Sequence, residues 1–260
     1  MTEQVRYILV TGATSGIGEA TVELLLEKYD DVVVLGVGRS QEKLDALRAS
    51  HGERFAPIQA DLSEAGSGAA VAQAANAVTQ GVLHGLVNGA GIISSGSIED
   101  TSDEHLNHML QVNLIAPFAL TRELLPALRA AQSQDDLARV VNISSVSGLR
   151  PYANLSSYCI SKAALDQMTR CMAIELAPEK ICVNAINPGV VVSALHRRGG
   201  MSEEQYADFL ERGAKTHPIG RVGNVEEIAR LIDYLLSRDV AWMTGETISI
   251  DGGRHLTSAR

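Results

Sequence analysis

The sequence of 260 residues predicts an α/β protein: a doubly wound parallel sheet of about seven strands with helices on both faces. Three observations carry that expectation. Apolar runs of strand length recur between helical patterns, at residues 7–10, 32–35, 56–59, 85–88, 139–143, 182–187 and 247–250. Some of these runs are continuous, as in Val32-Val33-Val34-Leu35, which implies strands covered on both faces and crossover helices above and below them. Nearly every unusual residue also stands just after a strand: Gly12, Arg39, Asp61, Asn88, Ser145 and Pro188. In doubly wound sheets ligands bind beyond the carboxyl ends of the strands, so these residues should converge on one crevice.

Taken in chain order, the first strand runs into Thr11-Gly12-Ala13-Thr14-Ser15-Gly16-Ile17-Gly18, with a helix beginning near Glu19. Glycines allow a tight turn and close backbone approach, and a helix N-terminus offers free N–H groups and partial positive charge, so a diphosphate fits there without a lysine. A tight turn with no ligand would explain the loop taken alone. The second strand ends in Gly38-Arg39-Ser40, with no acidic residue where an adenosine ribose 2′-hydroxyl is usually held. A guanidinium bonds phosphate and a carboxylate would repel it, which favours NADP(H) over NAD(H). The phosphate loop lacks a second basic residue at Thr14 or Ser15, so dual cofactor use stays open.

Further along, Ser145, Tyr158 and Lys162 lie thirteen and four residues apart. The stretch 156–165 opens with the capping residues Ser156 and Ser157 and continues with good helix formers, so Tyr158 and Lys162 share one helix face as i and i+4 neighbours. A phenol has an ordinary pKa of about 10, too high for easy proton exchange near neutrality, and a nearby ammonium together with the positive nicotinamide of an oxidised cofactor should lower it. Asn113 precedes Pro117 by four residues inside a helical pattern, and proline has no N–H to give the Asn113 carbonyl. The alternative is a proline kink with a packing role only.

The ordered set Thr11-Gly12 to Gly18, Asp61-Leu62, Asn88-Gly89-Ala90-Gly91, Asn113, Ile143-Ser144-Ser145, Tyr158 to Lys162, Asn187-Pro188-Gly189 with Ser193, and Asp251-Gly252-Gly253 resembles the classical short-chain dehydrogenase/reductase family over nearly the whole chain. The resemblance implies a single NAD(P)-binding Rossmann domain over residues 1–260 and hydride transfer between the nicotinamide and a ketone, aldehyde or secondary alcohol. It implies Tyr158 as the acid, Ser145 or alternatively Ser144 on the substrate oxygen, and Lys162 on the nicotinamide ribose. The Asn113 main-chain oxygen would hold a water in a proton relay. Cofactor contacts by resemblance fall on Gly12, Thr14, Ser15, Gly16, Ile17 and Gly18, on Arg39 and Ser40, on Asp61 and Leu62 at the adenine, and on Asn88, Ala90 and Gly91 along the adenosine. Pro188, Gly189, Val191 and Ser193 would meet the nicotinamide, with Tyr158 and Lys162 beside it. Two residues depart from the pattern: Gly89 replaces a second asparagine, and Ser193 replaces a threonine. The family also implies helices near 103–131 and 157–176 pairing across a twofold axis, giving a homotetramer or homodimer.

Composition narrows the remaining choices. An apolar content of 45% with 23 glycines and seven prolines suits one folded domain without linkers or repeats. The net charge of −9, with scattered cations, argues against nucleic acid. Residues 1–6 show no signal-peptide apolar region and no run is long enough to span a membrane, so a cytoplasmic protein is expected. Cys159, Cys171 and Cys182 lack paired or zinc-ligand spacing and read as buried, reduced thiols; no metal is expected. The seven histidines show no HxxxH pairing and are assigned no chemistry, although His196 follows the nicotinamide-contacting segment.

The long connection 188–220 carries Gly199-Gly200 and an amphipathic stretch with Met201, Tyr206, Phe209 and Leu210, readable as a substrate lid at about 190–220 or as a surface helix on its own domain. Ile93, Ser94, Val146, Ser147, Leu149, Tyr152, Val190, Leu195 and Phe209 are candidate substrate residues and suggest an apolar or amphipathic pocket. Arg197-Arg198 is the one hint of an acidic carrier, which makes a 3-oxoacyl-thioester (ACP or CoA) reductase the alternative substrate class. A non-catalytic NADP-sensing protein is the alternative of a different kind, and the intact Ser145, Tyr158, Lys162 set argues against it.

Overall fold

The computed structural model describes residues 5–132 and 137–257. Residues 1–4, part of the segment read as carrying no signal peptide, lie outside them. The strands are β1 Arg6–Thr11, β2 Val32–Gly38, β3 Phe55–Gln59, β4 Gly85–Asn88, β5 Ala138–Ile143, β6 Ile181–Pro188 and β7 Thr247–Ile250. All pair in parallel in the order β3-β2-β1-β4-β5-β6-β7. The chain winds outward from β1 to β3, then returns to β4 on the other side of β1. The loops after β1 and β4 therefore part at the sheet's carboxyl edge, the place where doubly wound sheets open a crevice.

Strand alternation divides the core into two layers. Leu9, Leu35 and Val140 face one side, packed on Leu120 and Leu124 of α5 (Ala116–Ala130) and Leu165 of α7 (Ser156–Leu176), with α3 (Ser67–Thr79) completing that layer. Ile8, Val10 and Val34 face the other, packed on Val22 and Leu25 of α1 (Gly16–Lys28), Leu44 of α2 (Gln41–His51) and Ile232 of α10 (Val225–Leu236). The remaining helices are α4 (Asp103–Leu110), α6 (Val146–Leu149), α8 (Leu195–Arg198) and α9 (Glu203–Thr216). Among the described residues no helix is long and apolar enough to cross a membrane.

Several local expectations are corrected. Helix α1 starts at Gly16 rather than near Glu19, because Ser15 is extended and serves as its N-cap. The cap of α7 is Leu155, with no side-chain cap bond, and Ser156 and Ser157 are its first helical residues. Between α4 and α5 the helix widens into a π turn, Gln111–Ile115, immediately before Pro117. The disturbance around Asn113 is thus a widened turn rather than a simple kink. The three cysteines are free, yet Cys171 is exposed on the outer face of α7 and Cys159 and Cys182 are only half-buried.

Candidate active site

Beyond the carboxyl ends of the strands lies a cavity of about 490 Å³. At one end the glycine-rich turn closes against the β4 loop. Gly12 has φ +72°, and a Cβ there would stand 3.0 Å from the Gly89 oxygen; one on Gly89 would meet the Thr11 oxygen at 2.7 Å. That approach gives a physical reason for glycine at 89. Thr11 ties the two loops by accepting from the N–H groups of Gly89 and Ala90, each at 3.0 Å. Gly12, Thr14, Ser15, Gly16, Ile17 and Gly18 all line the cavity, and the N-cap Ser15 makes no side-chain cap bond, so the first turn of α1 keeps its N–H groups available.

Along the next wall stand Arg39, Ser40, Asp61 and Leu62, then Ala90 and Gly91, all lining the cavity. Arg39 is exposed. The Asp61 carboxylate accepts from the Ser63 N–H and hydroxyl at 2.9 and 2.8 Å, and the backbone bond holds it below its usual range. Lys43, which sequence reasoning missed, also lines this wall, its ammonium 3.4 Å from the Thr14 oxygen. Its signal was available: Ser40 is the N-cap of α2, which places Lys43 in the first turn beside Arg39. Asn88 does not face the cavity. Its side chain on β4 donates instead to Asn142 of the neighbouring β5 at 2.8 Å and to Thr121 of α5 at 3.3 Å.

Ser145, Tyr158 and Lys162 line the same cavity and are all buried. Ser145 caps α6, its oxygen accepting from the Ser147 N–H at 3.1 Å. The Ser144 hydroxyl instead donates to the Lys162 carbonyl at 3.2 Å, which leaves Ser145 as the freer of the two. The Lys162 ammonium donates to the Ile143 carbonyl at 2.8 Å and lies 5.8 Å from the centre of the Tyr158 ring. Burial pulls Lys162 down to about 8, with Asp166 one turn further along α7 acting against it. Burial also pushes Tyr158 up to about 12, with the Ser145 hydroxyl acting against the rise. Within the protein itself, loss of solvent outweighs the neighbouring groups at Tyr158; the expected lowering combines Lys162 with the positive charge of an oxidised nicotinamide.

Asn113 is buried behind this group rather than in the cavity wall. Its side chain accepts from the Ile92 N–H and donates to the Ile92 oxygen, both at 2.9 Å, and donates to Ser161 at 3.1 Å. It thus pins the β4 loop to α7 next to Lys162.

On the far side, Pro188, Gly189, Val190, Val191, Ser193 and Leu195 line the cavity together with Ile93, Ser94, Val146, Ser147, Tyr152 and Phe209. Leu149 does not line it; the short α6 turns that residue to solvent. Tyr206 is buried and fastens the α8–α9 segment, its hydroxyl accepting from the Ser193 N–H at 3.0 Å and donating to the Ser193 oxygen at 2.9 Å. His196 stacks on Phe209 with ring centres 4.4 Å apart, and burial pulls it down to about 4, so it is neutral at neutral pH. His217 clamps the same region by accepting from the Val190 N–H at 3.1 Å. The two arginines of α8 divide: Arg197 pairs with Glu203, whereas Arg198 lines the cavity and donates to the Ser15 hydroxyl at 2.8 Å. Arg254, also unforeseen, completes the wall from the C-terminal side; nothing local in the sequence marked it.

Comparison with known proteins follows the same lines. A family model described as enoyl-(acyl carrier protein) reductase matches residues 12–255. Nodulation protein G of Rhizobium sp. (strain N33) is 36% identical over 250 residues, covering 95% of this chain and 96% of that protein. The solved Pseudomonas aeruginosa RhlG/NADP active-site complex superposes with a TM-score of 0.86 at 34% identity, covering 97% of each chain. A 3-ketoacyl-(acyl-carrier-protein) reductase from Brucella melitensis complexed with NADH gives 0.85 at 26% identity, covering 97% of this chain and 99% of that one.

Proposed function

Because the chain belongs to the classical short-chain dehydrogenase/reductase family and is an oxidoreductase of that family, we propose that it transfers hydride between NADP(H) and a ketone, aldehyde or secondary alcohol. The observation that carries this reading is one cavity lined by Ser145, Tyr158 and Lys162 at one end and by the glycine-rich turn at the other. The residues fit a dinucleotide: glycine backbone and an uncapped helix N-terminus suit a diphosphate. Arg39 and Lys43 together suit a 2′-phosphate and favour NADP(H), the structure supplying the second cation that the loop sequence lacked. Relatives bound to NADH and to NADP are both known, so the preference rests on these two side chains.

The nicotinamide would supply or accept the hydride. Ser145 holds the carbonyl oxygen and donates to it as negative charge develops. Tyr158, kept protonated by burial, gives that oxygen its proton. Lys162, a cation at neutral pH, steadies the phenolate that results.

A 3-oxoacyl thioester is the second reading, favoured by the acyl-carrier substrate of the Brucella melitensis relative. Its sequence hint weakens, because Arg197 pairs with Glu203 and Arg198 turns inward to Ser15. We assign the chain to the cytoplasm as a single domain over 1–260. Initial rates of NADPH and NADH oxidation against ketones, aldehydes and acetoacetyl thioesters test the reading. Tyr158→Phe should lower kcat by roughly 10²–10⁴-fold with cofactor binding retained; a variant that turns over like the parent removes Tyr158 as the acid.

A further inference from the structure

We propose that the substrate end of this cavity receives an oxyanion, so that the carbonyl substrate itself carries a carboxylate or comparable anionic group, with Arg254 as its receiver. The inference rests on the reading of the site as a carbonyl reductase and names the class of carbonyl it takes.

Arg254 opens the 3-10 turn Arg254–Leu256 and lines the cavity together with Tyr152, Ser147 and Tyr158. Its guanidinium carbon lies 5.3 Å from the centre of the Tyr152 ring, and that of Arg150 lies 5.6 Å from the same ring. Two cations thus share one phenol in a chain whose net charge is −9, yet among the described residues neither forms an ion pair with a carboxylate. Arg150 donates to the carbonyls of Arg254, at 2.7 Å, and Thr257. Arg254 donates to the Thr216 hydroxyl, and its Nε is buried without a partner, as is the Tyr152 hydroxyl. Asp251, three residues away in sequence, is occupied by the N–H groups of Gly253 and His255 and by the His255 ring.

Like charges held together repel, and the cost falls when an anion joins them. The planar fork of a guanidinium matches carboxylate, sulfonate and phosphate oxygens in two parallel bonds. The Thr216 bond and the Tyr152 ring fix the direction of Arg254, so little side-chain freedom is left to lose on binding. Val190, Leu195, Met201 and Phe209 line the same cavity and offer apolar surface that would hold a short carbon chain between the oxyanion and the reacting carbonyl.

The test compares 4-oxopentanoate with its uncharged amide, 4-oxopentanamide, and with a ketone ending in phosphate, using the NADPH-loaded enzyme. Wild type should favour an anionic ketone by at least tenfold in kcat/KM, with the preference shrinking as salt rises. In Arg254→Gln the anion-to-amide ratio should fall to near unity, and Arg254→Lys should recover part of it. The carboxylate and phosphate arms distinguish a keto acid from a phosphorylated substrate. An amide turned over as well as the anions, or a ratio that survives Arg254→Gln, overturns the proposal. If no ketone oxidises NADPH, the reductase reading fails for these compounds and the subsite is judged by binding alone, from the fluorescence of bound NADPH. Pentanoate binding that exceeds pentanamide and is lost in Arg254→Gln supports the oxyanion subsite, and equal binding of the two overturns it.

Discussion

Lys162 and Asp166 lie one turn apart on α7, and their coupling sets how the site responds to pH. Burial lowers the lysine to about 8 and raises the aspartate, while each charge favours the other's ionised form. The Asn187 amide donates to Asp166 at 2.9 Å and so holds it in place from β6. Asp166 touches neither cavity nor ring and is a positioning residue, acting through Lys162. For reduction, kcat/KM should decline as pH rises through about 8 and Lys162 loses its proton. Asp166→Asn removes the charge that supports the cation, so this limb should move to lower pH; a limb that stays or moves upward contradicts the coupling. Lys43 acts at the opposite end. Lys43→Gln should raise KM for NADPH roughly tenfold, the scale of one charge-assisted phosphate contact, and leave KM for NADH nearly unchanged. Equal effects on both cofactors would remove Lys43 from the phosphate site.

Helix α8 is only one turn long, and its place depends on what it touches. Arg198 reaches across to Ser15 at 2.8 Å, while Gly199 abuts the β4 loop so closely that a Cβ there would stand 2.5 Å from the Ile93 oxygen. The segment thus straps both loops that form the crevice. Arg198→Ala loses an exposed bond of about 0.5–1.5 kcal/mol and should weaken NADPH binding by roughly 2- to 10-fold, with Arg197→Ala as the matched control. Calorimetric titration reads the difference, and identical affinities in the two variants would show that the strap does not act on the cofactor. Tyr206→Phe acts within the segment itself. It strips the half-buried Ser193 N–H of its partner and should destabilise the α8–α9 segment by about 1 kcal/mol, visible as faster hydrogen exchange at Ser193.

At the scale of the whole molecule, the exposed apolar side chains include Ile115 at the end of the π turn, Phe118 in the first turn of α5, and Ile160 and Ile174 on α7. On α7 the exposed Ala163, Gln167 and Cys171 lie between the isoleucines at spacings of three or four residues, so one face is shared, with a single polar amide in it. These are the helices expected to pair across a twofold axis, and the exposed apolar groups favour a homodimer or homotetramer. Light scattering should give a mass at least twice that of one chain, and Phe118→Asp with Ile160→Asp should shift it to the monomer. A wild-type monomer at micromolar concentration would count against the assembly.

Much of this was legible in the chain because it depends on short-range pattern. Strand runs, the glycine turn and the i, i+4 pair on α7 are local, and burial on both faces forces the crossovers that bring them to one edge. Loop-to-loop approach then explains residues that the pattern alone left odd, such as Gly89 against Thr11. The sequence by itself determined the parallel α/β architecture and the positions of Ser145, Tyr158 and Lys162 that bring them to one cavity. Tertiary structure alone decided which way polar side chains turn: Asn88 into the core, Arg197 and Arg198 apart, and Lys43 and Arg254 into the cavity. The reason is physical. Periodicity fixes which face of an element is apolar, whereas the partner of a charged or amide group is set by segments far away in sequence, and its ionisation by how much solvent the assembled fold removes.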